Sequence, residues 1–294
     1  MKRHILLSIL VVCIVVVSSC ATMSPTSKTA KIALVLGAGS SKGFAHIGAL
    51  KVLEMNHVPI NMIVGTSVGS AVGSLYAYGY DAYQLQRMSF AIQKGDIADY
   101  ILPFPTNGFI KGEKLEAFIN KTLNNTPMEK LKIPFYAVAT DIQSGQEVVF
   151  SMGNTGQAVR ASCSIPGVFR PVQIEDRMYV DGGIVSPIAV DAARRLGADI
   201  VIAVDISGEH DRTKPDGTIA TISQAFGIMY AKLGQIQVAN ADVVIRPKVG
   251  YIGSSDFTKR HEAVLEGEKA AMEALPQIQQ IIDKLKKKGR LETK

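Results

Sequence analysis

The chain has 294 residues, a formal net charge of +6, and 47% hydrophobic and 20% charged residues. This length and composition are typical of a globular protein with a large core, arranged as one α/β domain or as two smaller ones, and they argue against long disordered regions. The modest charge, the lack of tryptophan and the lack of a basic stripe interleaved with aromatic residues argue against a nucleic-acid-binding protein.

The amino-terminal segment has the pattern of a secretory signal. A charged start, MKRH, precedes an apolar run from Ile5 to Val17, which at 13 residues is shorter than a membrane-spanning helix. The following VSSC, at 17–20, resembles the lipobox of bacterial lipoproteins. We therefore expect residues 1–19 to be a cleaved lipoprotein signal peptide and Cys20 to be lipidated. The alternative is an ordinary signal peptide with a coincidental cysteine.

The lipoprotein interpretation has consequences for cysteine chemistry and for location. With Cys20 acylated, Cys163 is the remaining cysteine of the mature chain, so no internal disulfide is expected. Residues 20–30 are predicted to form a flexible tether between the lipid anchor and the folded part. Ala21 is not the acidic residue that tends to retain lipoproteins at the inner membrane. We therefore expect a lipid-anchored protein of the bacterial cell envelope, which in a Gram-negative cell would be anchored at the outer membrane and face the periplasm.

From Lys31 onward, strand patterns alternate with helix patterns. The predicted strands are KIALVL (31–36), INMIV (60–64), IPFYAVATDI (133–142), QEVVFS (146–151), ADIVIAVDIS (198–207) and ADVVIRP (241–247). Helices are predicted at 43–56, after Ser67, and near the carboxyl terminus, where Pro276 is expected to break or restart the helix. The apolar repeat of this last helix is Val264, Leu265, Met272 and Leu275 before the proline, and Ile278, Ile281, Ile282 and Leu285 after it.

This alternation predicts an α/β fold with a mostly parallel sheet covered by helices on both faces. The QSGQ turn joins two of the strands as a hairpin, which makes one edge of the sheet antiparallel. Two loops are expected, at 102–112 and 208–218. Because no segment within 31–285 has the composition of a linker, this range is predicted to be one domain. A basic polar tail is predicted to follow at 286–294.

GTSVG, at 65–69, places Ser67 between two glycines, with a predicted strand before it and a predicted helix after it. This context is that of a nucleophile elbow, in which a tight turn holds the serine in a strained, exposed position. Gly65 and Gly69 remove side chains that would block the turn, and the helix N-terminus favours developing negative charge. Ser67 is therefore a candidate nucleophile. The alternative is a helix N-cap between two turn glycines.

GAGSSKG, at 37–43, is a second glycine-rich turn between a strand and a helix. A dinucleotide fingerprint would need a glycine at Lys42, and a P-loop would need serine or threonine at Gly43, so neither motif is present. What remains is a group of backbone N–H donors beside a lysine, which suits an oxyanion or a phosphate. A tight strand-to-helix connection is the alternative.

A third turn, DGG at 181–183, puts Asp181 at the end of a strand, where it either faces a cleft or forms an ordinary β-turn. With GAGSSKG, GTSVG and DGG in this order, the sequence resembles the patatin-like phospholipase family. The flanking segments AHIGALKVLE, RASCSIPGVFRPV and SPIAVDAARRLGADIVIAVDIS add to the resemblance, which runs from about Lys31 to Leu275. The resemblance to bacterial members implies a three-layer α/β/α fold and hydrolysis of phospholipid or another acyl ester, without a metal or other cofactor.

The resemblance also implies roles for individual residues. Ser67 would be the nucleophile and Asp181 the general base of a dyad that makes the protein a phospholipase A, a lysophospholipase or an esterase. The oxyanion hole would be formed by Gly37, Gly39, Ser40, Lys42 and Gly43. The turns would be supported by Gly65, Gly69, Gly182 and Gly183.

The glycine box departs from the family pattern in two places. Ala38 and Ser40 stand where glycines are usual. Gly37 and Gly39 are therefore expected to supply the positive φ of the turn, and a side chain at Ser40 would carry a cost if its φ were positive.

Two other functions are compatible with the sequence. A Ser-His-Asp carboxylesterase would use His210 or His261, which follow Ser67 in the required order but have no supporting local motif. A lipid-binding lipoprotein without catalytic activity would be consistent with the altered glycine box. His46, on the helix after the box, is expected to lie behind the site or on the surface.

Overall fold

A computed structural model describes residues 28–101, 108–208 and 214–291. Within this part of the chain, eight strands form one mixed sheet in the order β5-β6-β3-β2-β1-β7-β8, with β4 paired to β3. The strands are β1 (Ile32–Leu36), β2 (Met62–Thr66), β3 (Phe135–Asp141), β4 (Glu147–Phe150), β5 (Val172–Ile174), β6 (Arg177–Asp181), β7 (Ile200–Val204) and β8 (Val243–Ile245).

Helices cover the sheet. They are α1 (Phe44–Met55), α2 (Val68–Tyr78), α3 (Ala82–Ala91), α4 (Lys94–Ile97), α5 (Glu113–Thr122), α6 (Thr155–Ser162), α7 (Val190–Arg195), α8 (Thr218–Gln237) and α9 (Arg260–Lys287). Helices α1, α2 and α9 correspond to the predicted ones, whereas α3 to α8 are not predicted from the sequence. Short 3-10 helices at Ser40–Gly43 and Gly182–Ile184 follow β1 and β6.

The centre of the sheet is parallel and buried on both faces. β1 pairs in parallel with β2 and β7, and β2 pairs in parallel with β3. The β3–β4 pair is the predicted hairpin, and β5 and β6 form a second antiparallel pair at the edge. The predicted α/β fold with a mostly parallel sheet and helices on both faces is confirmed. Continuous burial explains why the central strands are apolar at every position rather than at alternate ones.

Side chains of β1 divide between two apolar clusters, one on each face of the sheet. Leu34 lies in the larger cluster, which includes Leu50 of α1 and Val264 of α9. Val35 lies in the smaller one, with Val190 of α7. This alternation follows from the period of two along a strand and defines the helix–sheet–helix layers.

The predicted break at Pro276 in helix α9 is wrong. The helix runs unbroken from Arg260 to Lys287 with the proline inside it. A proline removes a single backbone hydrogen bond and crowds the preceding turn, while Ala271 and Ile278, on either side of it, are buried and hold the helix to the core.

Two residues expected on the apolar face of α9 are on its outer side. Leu265 is 49% exposed and Met272 is 57% exposed. Where α9 crosses α1, small residues are required, because a Cβ at Gly267 would lie 2.0 Å from the Ala45 carbonyl oxygen. Likewise, a Cβ at Gly48 would lie 1.9 Å from the Val264 carbonyl oxygen. α1 and α9 therefore pack backbone against backbone, which leaves no room for large side chains between them.

The two ends of the described chain meet at one place. The Ala30 N–H donates to the Arg290 carbonyl oxygen at 2.9 Å, and the Arg290 guanidinium pairs with Asp199 at 2.8 Å. Thus the last residue of the predicted tether and part of the predicted tail pack on the domain. The signal peptide, Cys20, His210 and much of the two predicted loops lie outside the described residues. Within the described residues, no helix combines the length and apolar character needed to cross a membrane.

Candidate active site

Ser67 stands between β2 and α2 with φ 55° and ψ −127°, a backbone conformation that is unusual for a residue with a side chain. Flanking glycines are required by close contacts. A Cβ at Gly65 would lie 2.5 Å from Ser70 Cα, and a Cβ at Gly69 would lie 2.0 Å from the Leu36 carbonyl oxygen. The strained elbow is therefore present. Its serine is not exposed as expected, because Ser67 retains only 4% of its accessible surface.

The Ser67 side chain does not cap α2. Ser67 does occupy the N-cap position of this helix, but its side chain makes no capping hydrogen bond. The turn is held instead by Ser162, whose Oγ accepts the Ser67 N–H at 2.9 Å and donates to the Val138 carbonyl oxygen at 2.6 Å. This leaves the Ser67 hydroxyl to bond elsewhere.

The Ser67 hydroxyl donates to Asp181 Oδ2 at 2.6 Å. Strand register explains how residues 114 positions apart meet. Thr66 of β2 pairs with Val138 of β3, and the next residue of β3, Ala139, pairs with Asp181 of β6. Ser67 and Asp181 therefore flank β3 at the same level. A Cβ at Gly182 would lie 2.2 Å from the Val138 carbonyl oxygen, so the turn after Asp181 requires glycine.

Asp181 is fully buried, and burial raises its pKa to about 6 because the ionised form loses its hydration. Three hydrogen bonds oppose this rise, from the Ser67 hydroxyl, the Gly183 N–H and the Tyr230 hydroxyl. Asp181 Oδ1 accepts from Gly183 at 2.7 Å and from Tyr230 at 3.1 Å. Above about pH 6, the site therefore holds a carboxylate hydrogen-bonded to a serine hydroxyl.

The glycine box follows β1 and contacts the elbow, since the loops after two adjacent parallel strands meet at one edge of the sheet. A Cβ at Gly43 would lie 2.2 Å from Val68 Cγ2. Lys42 is buried in the short 3-10 helix.

The backbone N–H groups of the glycine box differ in whether they have a hydrogen-bond acceptor within the described residues. Those of Gly37 and Ala38 donate to the carbonyl oxygens of Val204 and Pro187. The N–H groups of Gly39 and Ser40 have no acceptor among the described residues. These two donors can therefore hold an external oxygen atom.

The positive φ of the box belongs to Ser40, at 52°, whereas Gly39 has an extended φ of 165°. The prediction that Gly37 and Gly39 supply the positive φ of the turn is therefore wrong. Gly37 and Gly39 are needed for space instead. A Cβ would lie 3.1 Å from the Val204 carbonyl oxygen at Gly37, and 2.7 Å from Ile206 Cδ1 at Gly39. The left-handed conformation at Ser40 costs about 1 kcal/mol relative to glycine.

Among the described residues, no histidine is hydrogen-bonded to Ser67 or Asp181. His46 is fully buried behind the box, and its Nε2–H donates to the Gly37 carbonyl oxygen at 2.8 Å. Burial lowers the pKa of His46 to about 4, so its imidazole is neutral at pH 7. His261 stacks on Phe90, with ring centroids 3.9 Å apart.

Several residues of the site have no counterpart in the sequence predictions. Ser162 supports the elbow, and Thr140 Oγ1 donates to the Asp181 carbonyl oxygen at 3.0 Å. Cys163, next to Ser162, is a free buried thiol 3.9 Å from Ser70 Oγ. Tyr230 extends from α8 to Asp181, and no motif in the sequence around Tyr230 indicates this contact. Among the described residues, no cluster of three or more His, Cys, Asp or Glu side chains could hold a metal ion.

Similar proteins include fungal lysophospholipases. Lysophospholipase nte1 of Aspergillus fumigatus is 34% identical over 186 residues, which are 62% of this chain and 12% of the fungal protein. Lysophospholipase NTE1 of Coccidioides immitis is 30% identical over 291 residues, covering 88% of this chain and 18% of the relative. The chain therefore spans less than a fifth of these relatives.

Solved structures share the fold at low sequence identity. VipD from Legionella pneumophila matches with a TM-score of 0.50 and 14% identity, over 84% of this chain and 67% of VipD. The type III effector protein ExoU matches with a TM-score of 0.50 and 14% identity, over 90% of this chain and 54% of that chain. The family model of patatin-like phospholipases matches residues 34–194, more than half of the chain. The chain thus belongs to the patatin-like phospholipase family.

Proposed function

We propose that the protein is a serine lipid acyl hydrolase, of the phospholipase A, lysophospholipase or esterase type, with Ser67 as nucleophile and Asp181 as general base. The observation that carries this proposal is the 2.6 Å hydrogen bond from Ser67 Oγ to Asp181 Oδ2 in a buried site. A serine becomes a useful nucleophile when a base lies within hydrogen-bonding distance. Asp181 is the acceptor of the Ser67 hydroxyl proton.

The first half of the reaction acylates the enzyme. Asp181 takes the hydroxyl proton while Ser67 Oγ attacks the acyl carbonyl carbon. The carbonyl oxygen becomes an oxyanion, which the N–H groups of Gly39 and Ser40 hold. As the intermediate collapses, the leaving alcohol takes the proton from Asp181 and the acyl group stays on Ser67 as an ester.

The second half releases the acid. Asp181 takes a proton from a water molecule, and the oxygen of that water attacks the acyl-enzyme carbonyl. When the intermediate collapses, Ser67 Oγ leaves and recovers the proton from Asp181, and the carboxylic acid is released. The same two residues and the same N–H donors therefore serve both halves.

The electrostatics of the site support this assignment. A carboxylate with an ordinary pKa is a weak base for an alcohol, and burial brings the pKa of Asp181 to about 6, nearer to neutrality. Oxyanion donors of this kind each contribute about 2.7–4 kcal/mol to transition-state stabilisation in comparable enzymes. The free N–H groups of Gly39 and Ser40 are such donors.

The proposed substrate class is supported by the relatives of this protein. Family membership and the fungal relatives named lysophospholipase support an acyl-ester lipid as substrate. Within the same proposal, Cys20 is lipidated and anchors the domain to the bacterial envelope at the outer membrane, facing the periplasm. The sequence motif VSSC at 17–20 supports this part.

The dyad is tested by release of p-nitrophenol from p-nitrophenyl acyl esters. Asp181→Asn and Ser67→Ala should each abolish turnover, because the first removes the base and the second removes the nucleophile. Ser74→Ala is the matched control, since Ser74 is a buried serine of α2 whose hydroxyl donates to the Ala71 carbonyl oxygen and, among the described residues, to no member of the dyad. Full activity of Asp181→Asn would exclude the dyad. Loss of activity on replacing His210 or His261 instead would favour a histidine triad.

A further inference from the structure

The two oxygens of the Asp181 carboxylate have different partners. Oδ2 accepts the Ser67 hydroxyl at 2.6 Å. Oδ1 accepts the Gly183 N–H at 2.7 Å and the Tyr230 hydroxyl at 3.1 Å. One oxygen is thus held from two sides, while the other faces the serine. A carboxylate held in this way cannot rotate about its terminal bond without breaking both bonds to Oδ1.

Tyr230 reaches this position from the middle of α8. It is one of three buried residues of that helix, with Ala231 and Gly234, and it retains 3% of its accessible surface. The phenol ring occupies the space above Gly183, where a Cβ would lie 2.5 Å from Tyr230 Cζ and 2.9 Å from its hydroxyl oxygen. The second glycine of the DGG turn therefore makes room for the tyrosine.

The Tyr230 hydroxyl keeps its proton at any pH at which the site works. Burial and the nearby Asp181 charge raise the pKa of Tyr230 well above its usual range. Among the described residues, the Asp181 charge also acts on Cys163, whose pKa is raised chiefly by burial and then by that charge. Both groups are neutral near pH 7. Tyr230 therefore acts on Asp181 as a hydrogen-bond donor and not as a charge.

We propose that Tyr230 is a positioning residue for the hydrolytic reaction, which holds Asp181 Oδ1 so that Oδ2 faces Ser67 and which stabilises the ionised carboxylate. This inference rests on the dyad function proposed above. Without the phenol hydroxyl, the carboxylate would keep a single donor on Oδ1, rotate more freely and be harder to ionise. Helix α8 thereby contributes to a dyad whose two members lie at the turn after β2 and at the end of β6.

The test compares Tyr230→Phe with Tyr179→Phe. Both changes remove one hydroxyl from a buried tyrosine. Tyr179 lies two residues from Asp181 on β6, where its ring packs on Phe150 and its hydroxyl is not among the hydrogen-bond donors to Asp181. Turnover of a p-nitrophenyl ester is measured from pH 5 to 9, and kcat and KM are obtained at each pH.

In wild type, kcat/KM should rise with pH with a midpoint near the Asp181 pKa of about 6. In Tyr230→Phe, this midpoint should move upward by about 1 pH unit, because a hydrogen bond to the charged form has been lost. Above the new midpoint, kcat should fall about tenfold with KM unchanged, because orientation is lost at the chemical step and not in binding. Tyr179→Phe should match wild type.

Two results would separate the failure of this inference from failure of the dyad. If wild type depends on Ser67 and Asp181 but Tyr230→Phe keeps the wild-type midpoint and kcat, Tyr230 has no positioning role and the dyad stands. If wild type shows no dependence on Ser67, the proposed function fails and this inference fails with it. The midpoint is independent of the amount of active enzyme, so partial loss of folded Tyr230→Phe does not affect the comparison.

Discussion

Asp181 is expected to make the fold less stable at neutral pH. Its folded-state pKa is raised from 3.8 to about 6 by burial, so the folded protein holds a proton that the unfolded chain releases between these values. Stability is therefore fully present below about pH 4 and is lost as the pH rises through about 6. The difference of about 2 in pKa corresponds to about 3 kcal/mol of lost stability once Asp181 is ionised.

Asp181→Asn removes this pH dependence with little change of shape. The asparagine Oδ1 can accept from Gly183 and Tyr230, and its amide can donate to the Ser67 oxygen. Relative to wild type, the variant should gain about 3 kcal/mol in the free energy of unfolding between pH 4 and pH 7, with most of the gain between pH 4 and 6.

Urea unfolding of both proteins at a series of pH values measures this difference. Asp256→Asn is a control of opposite sign, because hydrogen bonds from Thr258 lower the pKa of Asp256 below its usual 3.8. Its replacement should cost stability by a constant amount above about pH 4, and this cost should disappear as the pH falls below that value. A stability difference between wild type and Asp181→Asn that is the same at every pH would refute the reasoning.

Two further predictions concern the helix contact and the anchor. Gly48→Ala should destabilise the fold by about 3 kcal/mol, because its Cβ would meet the Val264 carbonyl oxygen at 1.9 Å. Gly227→Ala, in α8 with nothing within 4 Å, should be neutral or stabilise by up to about 1 kcal/mol. Urea unfolding at one pH compares the two, and equal effects would show that α1 and α9 are not in backbone contact. Labelled palmitate should enter the native protein and not Cys20→Ala, and incorporation by the variant would remove Cys20 from the proposal.

The parts of the fold that the sequence predicts are those with a local signal. β1 and β2 are uninterrupted apolar runs ended by glycine-rich turns, because both faces of the central strands are buried. Positions where two backbone segments come close together can also be predicted, because only glycine fits there. Gly65, Gly69 and Gly182 are glycines because a Cβ at each would lie within 2.5 Å of a backbone atom.

Contacts between residues far apart in the sequence could not be predicted, because they depend on the three-dimensional fold. Tyr230 lies 49 residues from Asp181, on a helix whose pattern says nothing of the dyad. Apolar spacing alone placed Leu265 and Met272 on the inner face of α9, but both are exposed, and backbone contact through Gly48 and Gly267 requires small residues where α9 crosses α1. The positive φ of Ser40 follows from the path of the turn rather than from glycine content.

The central claim is that Ser67 is a nucleophile activated within this site. The most direct measurement is the reaction with a fluorophosphonate probe at pH 8, followed by intact-protein mass spectrometry and peptide mapping. We expect a single adduct on Ser67, which persists in Ser74→Ala, forms more slowly in Asp181→Asn and is absent from Ser67→Ala. An unlabelled wild-type protein, or an adduct that persists in Ser67→Ala, would contradict it.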